Sequence, residues 1–258
     1  MASQRKIGVC DCRVTICTTR EGEGGAVSSP YPSSNTMIRF FDILFSFLAI
    51  LLLLPFMVPI VIGLKLTGEH DVFYLQNRVG KGGKDFKVFK FATMLRRSPS
   101  LPGGVLTQKK DPRILPMGGF LRKTKINELP QLINILLGQM SFVGPRPQAR
   151  VHYELYSSEV KRAIDGVPPG LTGIGSVVFR DEESLLDDVA GDRNEFHDTV
   201  IAPYKGELEV WYVAHRNLYT YFMLICLTAL VVLLPTNRVY KRLFKALPVP
   251  VQGLCPYV

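Results

Sequence analysis

The chain has 258 residues, enough for one large domain or two small ones, and carries a formal charge of +9. A basic chain selects anionic partners: nucleic acid, lipid head groups or phosphorylated substrates. Nucleic acid is disfavoured, because Lys and Arg are scattered among Gly, Pro and apolar segments with no recognition-helix or stacking motif.

Residues 1–36 are polar and rich in Gly, Ser and Thr, with Pro30 and Pro32, and predict a disordered leader. Met37 follows it directly, which leaves Met1 and Met37 both open as the start. Cys10, Cys12 and Cys17 sit in this leader, Cys226 in an apolar run and Cys255 near the C-terminus. No second ligand pair stands at zinc-site spacing, so free thiols in a reducing compartment are expected. The four histidines, His70, His152, His197 and His215, show no metal-ligand spacing either.

Residues 43–64 form an uncharged apolar run that covers about 30 Å of hydrocarbon at 1.5 Å per residue. The run begins too far from Met1 and is too long for a cleaved signal core. Pro55 and Pro59 lie in its middle, where each removes a helical hydrogen bond. Its flanks share one sign of charge, with Arg39 before it and Lys65, Arg78, Lys81, Lys84 and Lys87 after it. Positive flanks prefer the cytoplasmic side, which places both ends on one face. From the run alone, a kinked spanning helix and a re-entrant helix turning at the prolines both stay open. A second run, residues 218–234, precedes Pro235 and the basic Arg238, Lys241, Arg242 and Lys245. Tyr219 and Tyr221 at its start favour a helix lying against the membrane, with a second span and a core helix as alternatives.

Between the runs, residues 72–74 and 86–91 alternate apolar and polar side chains like short strands around a Gly-rich turn at 80–84. Residues 97–113 form a loop. The pattern predicts a helix over 128–137, N-capped by Asn127 and stopped by Gly138, with further helices over 153–164 and 182–189. The expected fold is α/β and helix-rich: a single membrane-associated domain with a Pro-broken membrane helix over 37–66. A core over 67–216 follows, then a membrane-associated helix and basic tail over 217–258.

Asp111 to Pro147 is the richest stretch for chemistry. It gathers Arg113, Arg122, Glu128 and Arg146, with Asn127 and Glu128 placed at the expected helix start. Cations at a helix N-terminus suit phosphate, and Glu128 suits a divalent ion bridging a diphosphate. Arg146 stands between Pro145 and Pro147, whose rings restrict the backbone that aims it. As isolated residues, Arg146 reads as a turn cation and Glu128 as a first-turn acid. Their concentration next to a membrane helix shifts the balance towards a site. A second candidate is the loop of residues 167–176, followed by Arg180, Asp181, Glu182 and Glu183.

Together these pieces resemble the bacterial sugar transferases, the monotopic phosphoglycosyl transferases, over about residues 37–235. The resemblance is carried by Arg39-Phe40-Phe41-Asp42, Gln76-Asn77-Arg78-Val79-Gly80, Phe89-Lys90-Phe91-Ala92-Thr93-Met94 and Asp111-Pro112-Arg113. It continues through Asn127-Glu128-Leu129-Pro130-Gln131-Leu132, Gly144-Pro145-Arg146-Pro147, Pro169-Gly170-Leu171-Thr172-Gly173 and Glu209-Val210-Trp211-Tyr212-Val213. Each motif is weak, but their order and spacing are specific.

The resemblance implies a re-entrant first helix and transfer of a sugar 1-phosphate from a UDP-sugar to undecaprenyl phosphate, with Mg2+ and release of UMP. It implies a place at the cytoplasmic face of a bacterial inner membrane, among its lipids, and leaves a homo-oligomer open. Catalytic roles fall to Glu128, Asn127 and Asp181, the metal to Glu128, and phosphate binding to Lys90, Arg122, Arg146 and Arg113. The family has an Asp-Glu pair whose Asp is the nucleophile, and Asn127 stands at that Asp. Further departures are Ala92 for a basic residue, Gln139 for an acid, Pro168 for a basic residue and Ser176 for Gln. An active divergent transferase is the leading expectation; a catalytically silent partner of another glycosyltransferase is the alternative.

Overall fold

The computed structural model describes residues 36–98, 111–180, 182–187, 192–234, 239–244, 246–250 and 254. The expected leader, apart from Thr36, lies outside the described residues, as do Cys10, Cys12, Cys17, Cys255 and Asp181.

Helix α1 runs from Thr36 to Leu66 with Pro55 and Pro59 inside it. Its helical turns continue through both prolines, so no interruption of the helix marks the turning point expected from sequence. It is the one described helix long and apolar enough to cross a membrane. One stripe of α1 packs on the domain along its length. Ile38 and Leu64, near its two ends, are 0% and 2% exposed. Ala49, Ile50 and Leu53 pack on Leu132 and Ile135, while Met57, Ile60 and Val61 pack on Phe91 and Leu121. The other stripe, with Phe47, Leu48, Leu51, Leu52, Phe56 and Ile62, is exposed.

Strands β1 (Phe73–Val79) and β2 (Asp85–Phe91) form an antiparallel hairpin in which Phe73 pairs with Phe91 and Val79 with Asp85. The turn between them needs positive φ at Gly82 and Gly83, which glycine adopts without a Cβ clash. Helix α2 (Gly118–Lys123) leads through a left-handed Lys125 into a 3₁₀ turn, Ile126–Glu128, and then α3 (Gln131–Leu136). The single helix expected over 128–137 is therefore divided, and Asn127 is not its N-cap. Pro130 sets the φ from which α3 starts, so Glu128 belongs to the preceding turn. Gly138 ends the helix as expected, at φ +83.

Strand β3 (Ser141–Val143) pairs in parallel with β4 (Gly170–Thr172). Between them lie α4 (Arg150–Glu154) and α5 (Ser158–Asp165), where sequence predicted one helix over 153–164. Ser157 divides them by capping α5, its Oγ accepting from Val160 N at 3.3 Å. After α6 (Ile174–Val178) and α7 (Glu182–Asp187), helix α8 (Arg193–Phe196), a π turn (His197–Ile201) and α9 (Ala202–Ala214) make one continuous stretch. Helix α10 (Leu218–Leu233) and the short α11 (Tyr240–Leu243) close the described fold. Tyr221, Leu224, Leu227 and Val231 of α10 enter the main core with Val143, Ile174, Leu208 and Tyr212. Tyr219, Val232 and Leu233 remain exposed on its other side. The second apolar run is thus half core helix and half open surface.

Asp42 and Arg39 fasten α1 to this body. Asp42 is 2% exposed, and its Oδ1 accepts from Ser141 Oγ, Phe142 N and Tyr221 OH at 3.0, 2.9 and 2.9 Å. Arg39 donates to the carbonyls of Ile135 and Leu136 at 2.5 and 2.8 Å, satisfying two C-terminal carbonyls of α3.

Candidate active site

Two structural devices bring strand β2, the 3₁₀ turn and the loop after β3 to one place. Asn134, fully buried on α3, accepts from Phe89 N at 2.9 Å and donates to Lys87 O at 2.8 Å. It therefore holds α3 against the strand that carries Lys90. The loop Gly144-Pro145-Arg146 lies on β4 so closely that a Cβ at Gly170 would stand 2.1 Å from Gly144 N. Any side chain there would lift the loop off the strand, which is the physical reason for glycine at that position.

The devices converge on Glu128. Its Oε1 is 3.1 Å from Arg146 Nη2 and 3.9 Å from Lys90 Nζ. Burial pushes the Glu128 carboxyl up, but Arg146, Lys90 and Lys125 outweigh it and hold the group at about 2. Lys90 moves the other way: burial, with Arg78, Arg146 and Arg122 nearby, lowers its ammonium to about 7 against the pull of Glu128. Arg78 is lowered to about 10 by burial and by Arg146. Four cations thus crowd one carboxylate. Excess positive charge held in place by the fold, and raising its own free energy, is an arrangement that suits a polyanion.

Asn127 lies beside this cluster, 8% exposed, and its Oδ1 is buried without a hydrogen-bond partner. An orphaned amide oxygen next to an ionised carboxylate is a donor set that fits a hard divalent cation such as magnesium, which takes one or two protein oxygens and completes its shell with substrate phosphates and water. Arg122 is partly buried and donates towards Met94 Sδ at 3.5 Å. Arg113 is not brought to the cluster. It is buried in a forked ion pair with Asp111, at 2.8 and 2.5 Å, and donates to Ser98 O at 2.9 Å. Its guanidinium ties Asp111 to Ser98 and is turned away from solvent.

Residues 33–235 match the family of bacterial sugar transferases. The chain belongs to that family. Among relatives of this chain is the UDP-N-acetylgalactosamine-undecaprenyl-phosphate N-acetylgalactosaminephosphotransferase of Aeromonas hydrophila. The two are 38% identical over 170 residues, 64% of this chain and 39% of that protein. A Bacillus subtilis protein described as a putative undecaprenyl-phosphate N-acetylgalactosaminyl 1-phosphate transferase is 41% identical over 47% of this chain and 68% of its own length. An exopolysaccharide production protein of Rhizobium leguminosarum bv. phaseoli is 40% identical over 54% of this chain and 72% of its own. The chain thus matches less than half of the Aeromonas relative and about 70% of the other two.

Several residues around Glu128 were not singled out from sequence as site groups. Arg78 and Lys125 act on Lys90 and Glu128 only through the fold. Glu209 of α9 is 4% exposed, accepts a backbone hydrogen bond from Arg146, and is raised by burial to about 8. It holds the loop behind Arg146. Of two departures from the family pattern, Gln139 is accommodated, accepting from Asn134 Nδ2 at 2.7 Å, whereas Ser176 Oγ is buried without a partner.

An apolar cavity of about 270 Å³ lies between α1 and the domain. Ile50, Leu54 and Met57 of α1 line one side, and Phe91, Leu129 and Pro130 the other. Phe91 directly follows Lys90 in the chain, and Leu129 directly follows Glu128.

Proposed function

We propose that this chain transfers a sugar 1-phosphate from a UDP-sugar to undecaprenyl phosphate, an opening step in exopolysaccharide or related glycan assembly at the cytoplasmic face of a bacterial inner membrane. The observation that carries it is the single carboxylate of Glu128 set among Lys90, Arg146 and Arg78, beside an apolar cavity lined by the membrane helix. A soluble polyanion and an anionic lipid share that chemistry.

The diphosphate of the donor docks among Lys90, Arg78, Arg122 and Arg146, displacing part of the Glu128–Arg146 pairing. Asn127 and Glu128 would hold magnesium, which when bound neutralises developing charge on the phosphate oxygens. At the sugar-bearing phosphorus the bond to UMP breaks, and UMP leaves with the electron pair. The bond to an oxygen of undecaprenyl phosphate forms, giving an undecaprenyl diphosphate sugar. Glu128 acts chiefly as an oxygen donor, because a carboxylate held at about 2 is weakly basic. In a second reading Glu128 attacks the sugar-bearing phosphorus, UMP leaves with the electron pair, and undecaprenyl phosphate then displaces the carboxylate; its place between Lys90 and Arg146, which would hold the diphosphate against it, favours this reading. The apolar cavity suits the first prenyl units of the acceptor. No observation favours the catalytically silent alternative.

The first helix enters and leaves the same leaflet in this proposal. Ile38 and Leu64 would be about 39 Å apart on a straight helix, longer than the ~30 Å hydrocarbon layer, yet both are buried against one domain. The exposed stripe of α1 and the open side of α10 then face lipid.

The test is lipid-linked product formation: full-length protein in liposomes with magnesium, undecaprenyl phosphate and a panel of UDP-sugars. Mass spectrometry should detect an undecaprenyl diphosphate sugar with at least one donor. Absence of product with every donor rejects the assignment.

A further inference from the structure

Sequence alone gave His152 and His197 no metal-ligand spacing, since 45 residues separate them. The fold brings them together, with ring centroids 4.8 Å apart and edge to face. We propose that His152, His197 and Asp198 form a binding site for one divalent transition metal of the zinc class, separate from the phosphate cluster at Glu128.

Three observations carry the assignment. The ligand atoms of the three residues lie within 4.8 Å of one another. Zinc bonds of about 2.0–2.1 Å set ligand atoms roughly 3.4 Å apart in a tetrahedral shell, so side-chain rotations of about 1 Å close the site. Second, His152 Nδ1 is buried without any hydrogen-bond partner. A plain ring-on-ring packing of the two histidines leaves that nitrogen desolvated and unpaired, whereas a metal gives its lone pair a partner. Third, His197 is flanked by carboxylates on both ring nitrogens. Nδ1 is 2.7 Å from Asp198 Oδ1, and Nε2 is 3.6 Å from Glu182 Oε1. With a metal on Nδ1, the Nε2 hydrogen points to Glu182, the outer carboxylate that orients a metal-bound imidazole.

Lys205 binds both oxygens of Glu182 at 2.6 and 2.7 Å, so Glu182 serves as that outer acceptor and Asp198 supplies the charge in the inner shell. Asp198 is 41% exposed, which leaves an entry path and room for water as the fourth ligand. Occupancy would tie α4 to the π turn that opens α9, the helix whose Glu209 holds Arg146.

The test is Zn2+ titration by calorimetry on the full chain in detergent, in a Cys10→Ser, Cys12→Ser, Cys17→Ser background that removes the three clustered thiols and leaves Cys226 and Cys255. One site per chain is expected. His152→Ala and His197→Ala should each weaken it by at least about tenfold. Asp198→Asn, a near-isosteric change at a part-exposed position, should do the same with the fold intact by circular dichroism. Co2+ in place of Zn2+ should give visible bands without thiolate charge transfer. Equal affinity in parent and Asp198→Asn, or a thiolate band in the cobalt spectrum, overturns the site. Neither readout involves UMP or donor sugar, so the result stands apart from the transferase assignment.

Discussion

Glu128 and Arg146, 18 residues apart in sequence, meet with 3.1 Å between Oε1 and Nη2. The pair holds the carboxylate ionised and aims a guanidinium at the same point, where in the proposed reaction a substrate phosphate competes for it. Charge-assisted hydrogen bonds contribute about 1.5–3 kcal/mol. Arg146→Ala should therefore lower kcat/KM for the UDP-sugar by roughly 10- to 150-fold. Arg146→Lys keeps the charge but loses the fork, and should fall between parent and Ala in steady-state kinetics.

Lys90 gives the donor site its pH dependence. Burial and neighbouring cations bring its ammonium down to about 7. The free site loses this positive charge as pH rises through about 7, so donor affinity should fall across that range and flatten above it. Lys90→Arg, which stays charged, should remove the inflection. Donor binding measured by calorimetry from pH 6 to 9 distinguishes the two.

Glu209 should mark the stability curve. Its folded carboxyl is raised from 4.5 to about 8, so between those pH values the folded chain keeps a proton that the unfolded chain has released. That contribution is present below about 4.5 and is lost as pH rises towards 8. Glu209→Gln removes it. Thermal unfolding at pH 5 and pH 8.5 should show a smaller loss of Tm on alkalisation in the variant than in the parent.

Asp42 ties α1 to β3, which leads to Arg146, and to α10, which carries Tyr221. Tyr221→Phe removes one of its three donors and should destabilise by about 1–2 kcal/mol. Asp42→Ala leaves Ser141 Oγ, Phe142 N and Tyr221 OH without their shared acceptor, and should destabilise by about 3 kcal/mol or more. Denaturant unfolding in detergent measures both.

Both ends of α1 should face the cytoplasm. Single cysteines at Thr36 and Thr67, in a chain whose natural cysteines are replaced, should both be shielded from an impermeant maleimide added to intact cells. Both should react in inverted vesicles. Labelling of one end from each side would mean a spanning helix.

Much of this was legible in the chain because local chemistry decided it. The Gly-rich turn at 80–84 fixed the β1–β2 hairpin, Gly138 fixed the end of α3, and Pro-flanked Arg146 meets Glu128. The division before α3 was hidden because Asn127 and Glu128 have the composition of a helix start. Only Pro130, two residues further on, sets where α3 begins. The buried pairing of Arg113 with its near neighbour Asp111 was hidden as well, because the sequence does not show which carboxylate a guanidinium meets. The raised Glu209, the lowered Lys90 and the His152–His197 pairing have no local signal, since each is created by elements brought together across tens of residues.

The most direct test of the central claim is UMP release by the natural sequence and by Glu128→Gln, assayed side by side with magnesium, undecaprenyl phosphate and a UDP-sugar panel. The expected result is UMP release that requires the lipid acceptor and falls by at least about a thousandfold in Glu128→Gln, whose neutral amide loses both the ion pairs and the metal-binding charge. Release by Glu128→Gln at the rate of the natural sequence would place the chemistry elsewhere and contradict the site described.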